Sequence, residues 1–214
     1  MGKFLLCAAL LAAALPLADR ADPPSYTYVE GGYSKATTSG FSGGSGYGFD
    51  GSYAFASNWF VAASYRHNSF NGGALTGGFF TRDELLTIGG HLALTDSMDL
   101  VGRIGYANDK WNQGPSTSLF PGFVVATSDT RDGYDFGAGI RTLPTDNWEF
   151  DAFLDYDNAG LLSHDHTTTE VVGSAALRYN YSQRLSFGLS YARGSRHSAS
   201  NWMLNGRWYF FPTP

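Results

Sequence analysis

Disulfide chemistry is the first thing this sequence lacks: its 214 residues include one cysteine, Cys7. That residue sits in an N-terminal segment that reads as a cleaved signal. Met1-Gly2-Lys3 is a short positive region, residues 4–18 are apolar, and small residues follow, so cleavage is expected after about Ala18 or Ala21. Residues 1–21 are expected to be removed and residues 22–214 to form one exported domain. Lipid attachment at Cys7 does not fit, because the cysteine precedes completion of the apolar core. With Cys7 gone, no bridge can staple the mature chain in an oxidising compartment.

Long apolar runs are also missing. Past the signal segment no stretch reaches the ~20 consecutive apolar residues of a membrane helix. A membrane span must therefore be made of strands. Charge is scarce, at 15% of residues, and the net value of −5 leaves no basic patch, which removes nucleic acid from the partners. Glycines are many, but none of Gly31, Gly32, Gly43, Gly44, Gly72, Gly73, Gly77, Gly78, Gly89 and Gly90 opens a strand-to-helix turn of the phosphate-binding kind.

What the sequence has in quantity is alternation. In "NWEFDAFLDYDN" (147–158), Trp148, Phe150, Ala152, Leu154 and Tyr156 share one parity, and Glu149, Asp151, Asp155 and Asp157 the other. A strand sends successive side chains to opposite faces, so one face is apolar and the other carries four carboxylates. Similar one-sided apolar sets recur as Val29/Gly31/Tyr33, Tyr47/Phe49/Gly51/Tyr53/Phe55, Trp59/Val61/Ala63/Tyr65, Leu86/Ile88/Gly90/Leu92/Leu94 and Leu100/Gly102/Ile104/Tyr106. They continue as Tyr134/Phe136/Ala138/Ile140, Val171/Gly173/Ala175/Leu177/Tyr179, Leu185/Phe187/Leu189/Tyr191 and Trp202/Leu204/Gly206/Trp208/Phe210. These are about ten strands, each near the length of a tilted membrane strand, about 9–11 residues.

The connections alternate too. Segments 56–58, 95–98, 143–147 and 182–184 are short, while the intervening ones run longer, notably 69–82 and 110–131. The pattern predicts an all-β, closed, antiparallel up-and-down transmembrane barrel with short periplasmic turns, longer outer loops and both termini in the periplasm. Within 110–131, the apolar stretch Leu119 to Ala126 reads as strand extension beyond the membrane, the alternative being a fold over the mouth.

Aromatic residues sort by loop length. Phe55, Trp59, Trp148, Trp208 and Phe210 fall beside the short turns, and Tyr33, Tyr47, Tyr65, Tyr106, Tyr134, Tyr156, Tyr191 and Trp202 toward the long loops, as two interfacial girdles should. The polar parity then lines a lumen. Counting up from each short turn puts Glu30, Asp50, Arg103, Asp151, Arg178 and Arg207 at similar heights, three acids against three arginines, expected to pair across the interior.

Four segments carry a resemblance: "SYTYVEGGYSKA" (25–36) after a signal peptide, "DGYDFGAGIRT" (132–142), "RLSFGLSYA" (184–192) and an aromatic-rich last strand. Together they resemble the small ten-stranded outer-membrane barrel family once described as activators of plant immunity, within the OmpA/OmpX-like superfamily. The resemblance covers essentially the whole mature chain and implies a Gram-negative outer-membrane protein. It also implies the outer-membrane lipid, lipopolysaccharide and the barrel-assembly machinery as partners. One departure is that Phe210 and Phe211 are followed by "PTP", where such barrels usually end on an aromatic.

Three classes of function stay open. The favoured one is a structural or surface barrel whose outer loops meet an unidentified extracellular ligand. The alternative is a narrow channel for small solutes. The third is an enzyme, resting on Ser163, His164, Asp165 and His166 near Asp155 and Asp157. A His-x-His pair with no further defined ligand reads as a polar surface loop, and His67 and His91 read as structural. The expectation is therefore no catalytic residue, no metal and no cofactor.

Overall fold

The computed structural model describes residues 25–37, 43–71, 78–117, 124–158, 169–195 and 200–210. Ten strands follow one another: β1 (Tyr28–Thr37), β2 (Gly44–Ala56), β3 (Trp59–Phe70), β4 (Phe79–Thr95), β5 (Met98–Thr117), β6 (Val124–Thr145), β7 (Trp148–Asp157), β8 (Glu170–Ser182), β9 (Leu185–Gly194) and β10 (Ser200–Tyr209). Each pairs antiparallel with its sequence neighbour, and β1 pairs with β10, closing the barrel. The expected all-β architecture is what forms. Closure pairs every strand on both sides over the barrel's shared span, which is what a backbone facing hydrocarbon requires.

Parity decides the faces as the alternation predicts. Leu86, Ile88, Leu154, Leu189 and Leu204 point outward and are exposed, whereas Glu149, Asp151 and Asp155 turn inward and are buried. An inside-out protein of this kind exposes its apolar side chains because lipid is their solvent.

The four tight turns have two residues each: Ser57-Asn58, Asp96-Ser97, Asp146-Asn147 and Gln183-Arg184. They are tighter than the segments marked by composition because the strands run on into them. Every one is preceded by a register shift on the incoming strand, at Ala54/Ala56, Ala93/Thr95, Thr142/Thr145 and Asn180/Ser182. A bulge adds local twist just where the chain must reverse.

The segment 110–131 is corrected from loop to strand over most of its length. β5 runs through Thr117 and β6 begins at Val124; of the apolar stretch Leu119 to Ala126, Val124 to Ala126 are strand, and residues 119–123 lie outside the described residues. β7 stops pairing at Asp157, opposite Asp135, while β6 continues outward from Asp135 to Val124 paired with β5.

Two apolar clusters occupy the interior. Tyr26, Phe60 and Val101, with Ala54, Ala62 and Phe153, fill the short-turn end. Ala36, Phe70 and Phe79, with Trp111, fill the long-loop end, where the Phe70 and Phe79 rings stack at 4.5 Å. The charged side chains lie between them.

Candidate functional site

Among the described residues charges are most densely gathered in the lumen, because the inward parity carries the charged side chains through the middle of the barrel. Its centre is a cluster of three acids and three arginines. From β8, Arg178 donates through Nε to Glu30 Oε2 at 3.0 Å and through Nη1 to Glu149 Oε1 at 3.0 Å, and it also bonds Asp151. From β10, Arg207 donates to Glu30 Oε2 at 2.6 Å and to Glu149 Oε1 at 2.7 Å. From β6, Arg141 donates to Glu149 Oε2 at 2.8 Å and has Nε 3.5 Å from Asp151 Oδ1. The Tyr209 hydroxyl donates to the same Glu149 oxygen at 2.8 Å.

All six ions are buried, Glu149 the most at 1% exposure. Three guanidiniums against three carboxylates balance, and charge-assisted bonds satisfy most of the polar atoms, the condition under which buried ions are tolerated. The members come from β1, β6, β7, β8 and β10, so the cluster crosses the barrel interior. Aromatic rings floor it on the short-turn side. The Arg207 guanidinium lies 3.8 Å from the Tyr28 ring centroid and that of Arg141 4.8 Å from Tyr26. Tyr26 in turn stacks on His91 at 4.2 Å and donates its hydroxyl to Asp99 at 2.9 Å, and His91 Nδ1 is 3.1 Å from Asp99.

Sequence counting grouped Glu30, Asp50, Arg103, Asp151, Arg178 and Arg207 as one network. Four of these meet, and two are corrected: Asp50 takes Arg66 at 2.8 Å, and Arg103 takes Asp155 at 2.7 Å with Asp135 at 3.9 Å. Their seats in the central cluster are held by Glu149 and Arg141. The cause is geometric. Strand tilt and the bulge before Asp146-Asn147 shift residues along the barrel axis relative to a simple count from the turns.

Glycines seat the long side chains. A Cβ at Gly188 would lie 2.5 Å from Arg178 Cγ, and one at Gly137 would lie 2.7 Å from Arg103 Nε. These inward glycines let the guanidinium stems lie flat on the wall. Outward of Arg178, Gly188 and Arg207 the same wall of β8 to β10 carries small, uncharged side chains, Ser174, Ala176, Ser190, Ala192 and Asn201. Beside them a cavity of about 240 Å³ remains, bordered by Glu30, Asp50, Arg66, Arg103, Arg178 and Arg207.

On the outside, Phe55, Trp59, Trp148, Trp208 and Phe210 are exposed near the tight turns, and Tyr33, Tyr47, Tyr106, Tyr134, Tyr156 and Trp202 are exposed toward the long loops. Tyr65 and Tyr191 are half-buried because Tyr47 stacks on the first at 6.1 Å and Trp202 packs against the second at 4.4 Å. Tyr53, Tyr179 and Tyr181 join the short-turn belt, beyond those assigned from sequence. Of the histidine motif, residues 163–166 lie outside the described residues. His67 packs outward against Tyr47 and Phe80. Among the described residues no group of three His, Cys, Asp or Glu is set to hold a metal ion.

Sequence reading missed Tyr26, Tyr28, Arg66, Arg141 and Tyr209. Inward parity marks Arg66, Arg141 and Tyr209. Tyr26 precedes the first strand and carries no periodic signal.

The family model for the outer membrane protein beta-barrel domain matches residues 4–156. No curated protein matches the chain. Among solved structures, the translocator domain of autotransporter NalP from Neisseria meningitidis is 12% identical, with 98% of this chain and 96% of that chain covered at a TM-score of 0.51. The attachment invasion locus protein Ail of Yersinia pestis is 17% identical over 86% of this chain and 97% of its own, at a TM-score of 0.43. Neisserial surface protein A is 13% identical over 87% and 98%, at 0.45. At 12% identity the likeness to the NalP translocator domain is one of fold.

Proposed function

Because this chain belongs to the outer membrane protein beta-barrel domain family and its barrel sits in a Gram-negative outer membrane, we propose that it serves as a surface barrel of the envelope, acting through its outer rim and loops. Its lumen is closed to bulk solute by side chains. The observation that carries this reading is the buried cluster of Glu30, Glu149, Asp151, Arg141, Arg178 and Arg207, which crosses the interior above an aromatic floor. Opening a path means removing paired ions, so the closed state is the stable one. The partners in this reading are outer-membrane lipid and lipopolysaccharide, an extracellular ligand at the rim, and the barrel-assembly machinery during insertion. No cofactor and no catalytic role belong to it. Assay of lipid A and peptide cleavage by the wild type and His164→Ala/His166→Ala tests that last point, and activity lost in the variant would overturn it.

One observation favours a second reading, a narrow channel. The cavity of about 240 Å³ lies partly against small, uncharged side chains of β8 to β10 outward of Arg178 and Arg207, so a thin path there needs few side chains to move. Single-channel recording in planar bilayers separates the two. The surface-barrel reading expects small or intermittent currents from the wild type and larger, steady ones from Glu149→Ala/Arg178→Ala, which removes one charge of each sign. Large stable currents from the unmodified protein would put the channel first.

A further inference from the structure

The outward faces of the barrel divide by charge. On the described parts of β3 to β7, acids share the outward face with the cations: Arg82 lies 3.3 Å from Glu84, and Lys110, opposite Arg82 and Thr130, stands one outward step from Asp132, which accepts from the Tyr106 hydroxyl at 2.6 Å and bonds Asn108. The outward parities of β8, β9, β10, β1 and β2 carry two charged residues, both cations, Lys35 and Arg193. Both are exposed and both stand at the long-loop end. The connecting segments 38–43 and 195–199 contain no acidic residue. The nearest acid along the strands, Glu170, has inward parity and lies under Gly194.

Register brings the two cations together. Lys35 is opposite Trp202, which is opposite Tyr191, and Arg193 is opposite Ser200, one step further out. β1 and β9 flank β10, so their backbones are about 10 Å apart. Two long, flexible side chains can close on one tetrahedral anion over that gap. Between them Trp202 and Tyr191 pack at 4.4 Å, and the Lys35 ammonium lies 5.6 Å from the Tyr33 ring.

A second observation lies directly beneath. Leu204, opposite Leu189 and Tyr33, continues the apolar surface inward, and the next pair is Gly31 opposite Gly206. Two facing glycines leave a shallow trough, walled by Phe49 on one side and Phe187 on the other. Cations at the interface, a flat aromatic below them and a trough running toward the membrane centre match the order of parts in a phosphorylated glycolipid: phosphate, sugar, acyl chain.

We propose that Lys35 and Arg193 hold a phosphate of an outer-leaflet glycolipid, with its sugar on Trp202 and an acyl chain along Leu204 and the Gly31–Gly206 trough. This rests on the lipopolysaccharide partnership proposed above and assigns it one face of the barrel. The acid-accompanied cations Arg82 and Lys110 bind such a phosphate weakly by comparison.

The test is native mass spectrometry and titration of the detergent-solubilised barrel with bis-phosphorylated lipid A, dephosphorylated lipid A and inorganic phosphate. Retention of folding is checked by mobility of unboiled samples. Lys35→Gln/Arg193→Gln is expected to weaken lipid A binding by roughly tenfold or more, since a basic residue near an anionic lipid surface contributes on the order of a kcal/mol. Arg82→Gln/Lys110→Gln and the charge-keeping Lys35→Arg/Arg193→Lys are expected to bind as the wild type does. Equal losses in both Gln pairs, or no loss in either, would overturn the site while leaving the lipid partnership standing. A wild type that binds phosphorylated and dephosphorylated lipid alike would overturn both. Displacement of lipid A by equimolar inorganic phosphate would assign the cations to a free anion instead.

Discussion

Arg178 on β8 donates to Glu30 on β1 at 3.0 Å although 148 residues separate them. The bond is made through the lumen and not along the sheet, since β10 and β9 stand between the two strands. It ties one side of the barrel to another independently of backbone pairing. Removing one partner of a buried ion pair is costly, because the survivor keeps its desolvation penalty without its compensation.

Arg178→Ala leaves Glu30, Glu149 and Asp151 facing two arginines, so a loss of about 3–5 kcal/mol in unfolding free energy is expected, read from urea titration of the barrel in lipid vesicles. Arg82→Ala, which removes a partly exposed pair with Glu84, should cost under about 1 kcal/mol. Equal effects would mean that the lumen is as well hydrated as the surface.

Face assignment is tested by position. Ala152 points outward between Ile140 and Ala175, and Ala63 outward between Gly51 and Leu86, whereas Ser190 faces the lumen from the small inner wall. Ala152→Arg or Ala63→Arg should cost roughly 2–4 kcal/mol and impair assembly, and Ser190→Arg should be tolerated better. The fraction of protein running at the folded position on unboiled gels measures this, and a reversed order would shift the whole register by one.

How much of this was legible in the residues follows from distance along the chain. Trp148 to Asp157 declares its strand, its two faces and its lipid side within ten residues, because period two is a local property. Inward parity likewise marks Glu149, Arg141 and Arg66. What no local pattern encodes is which ions meet, since Arg178 finds Glu30 through a tilted, bulged wall. The same limit explains why counting from the turns groups Arg103 with Asp151 although it bonds Asp155.

Glycine placement yields a paired contrast. Gly188→Ala puts a methyl 2.5 Å from Arg178 Cγ and 2.7 Å from the Leu177 carbonyl oxygen, and the strain should cost about 1–3 kcal/mol. Gly102→Ala points outward with nothing within 4 Å, and its stability should match or exceed the wild type. The two urea midpoints, compared side by side, decide whether the arginine stem needs that seat.

Tyr26 anchors the chain just ahead of β1. Tyr26→Ala removes a ring stacked on His91 and packed 5.1 Å from Phe60, for an expected loss of about 3–5 kcal/mol. Tyr26→Phe keeps the ring but deprives Asp99 of a hydroxyl donor, for about 1–3 kcal/mol. Limited proteolysis should then cut the Ala variant near residue 26 faster than the Phe variant. Equal rates would mean the ring is not the anchor.

The unequal ends of β6 and β7 give the mouth a direction. β7 ends at Asp157 beside Asp135, and β6 climbs on to Val124. At about 3.4 Å per residue and a tilt near 40°, that step stands roughly 29 Å high. Among the described residues the rim is therefore a ramp with a cliff, not a level ring. Among the described residues, a molecule approaching over the membrane from the β7 side meets a low wall, and one arriving from the β6 side meets a standing sheet first. A barrel that is round within the bilayer thus has a front and a back above it, and turning it about its own axis changes what the outside world can touch.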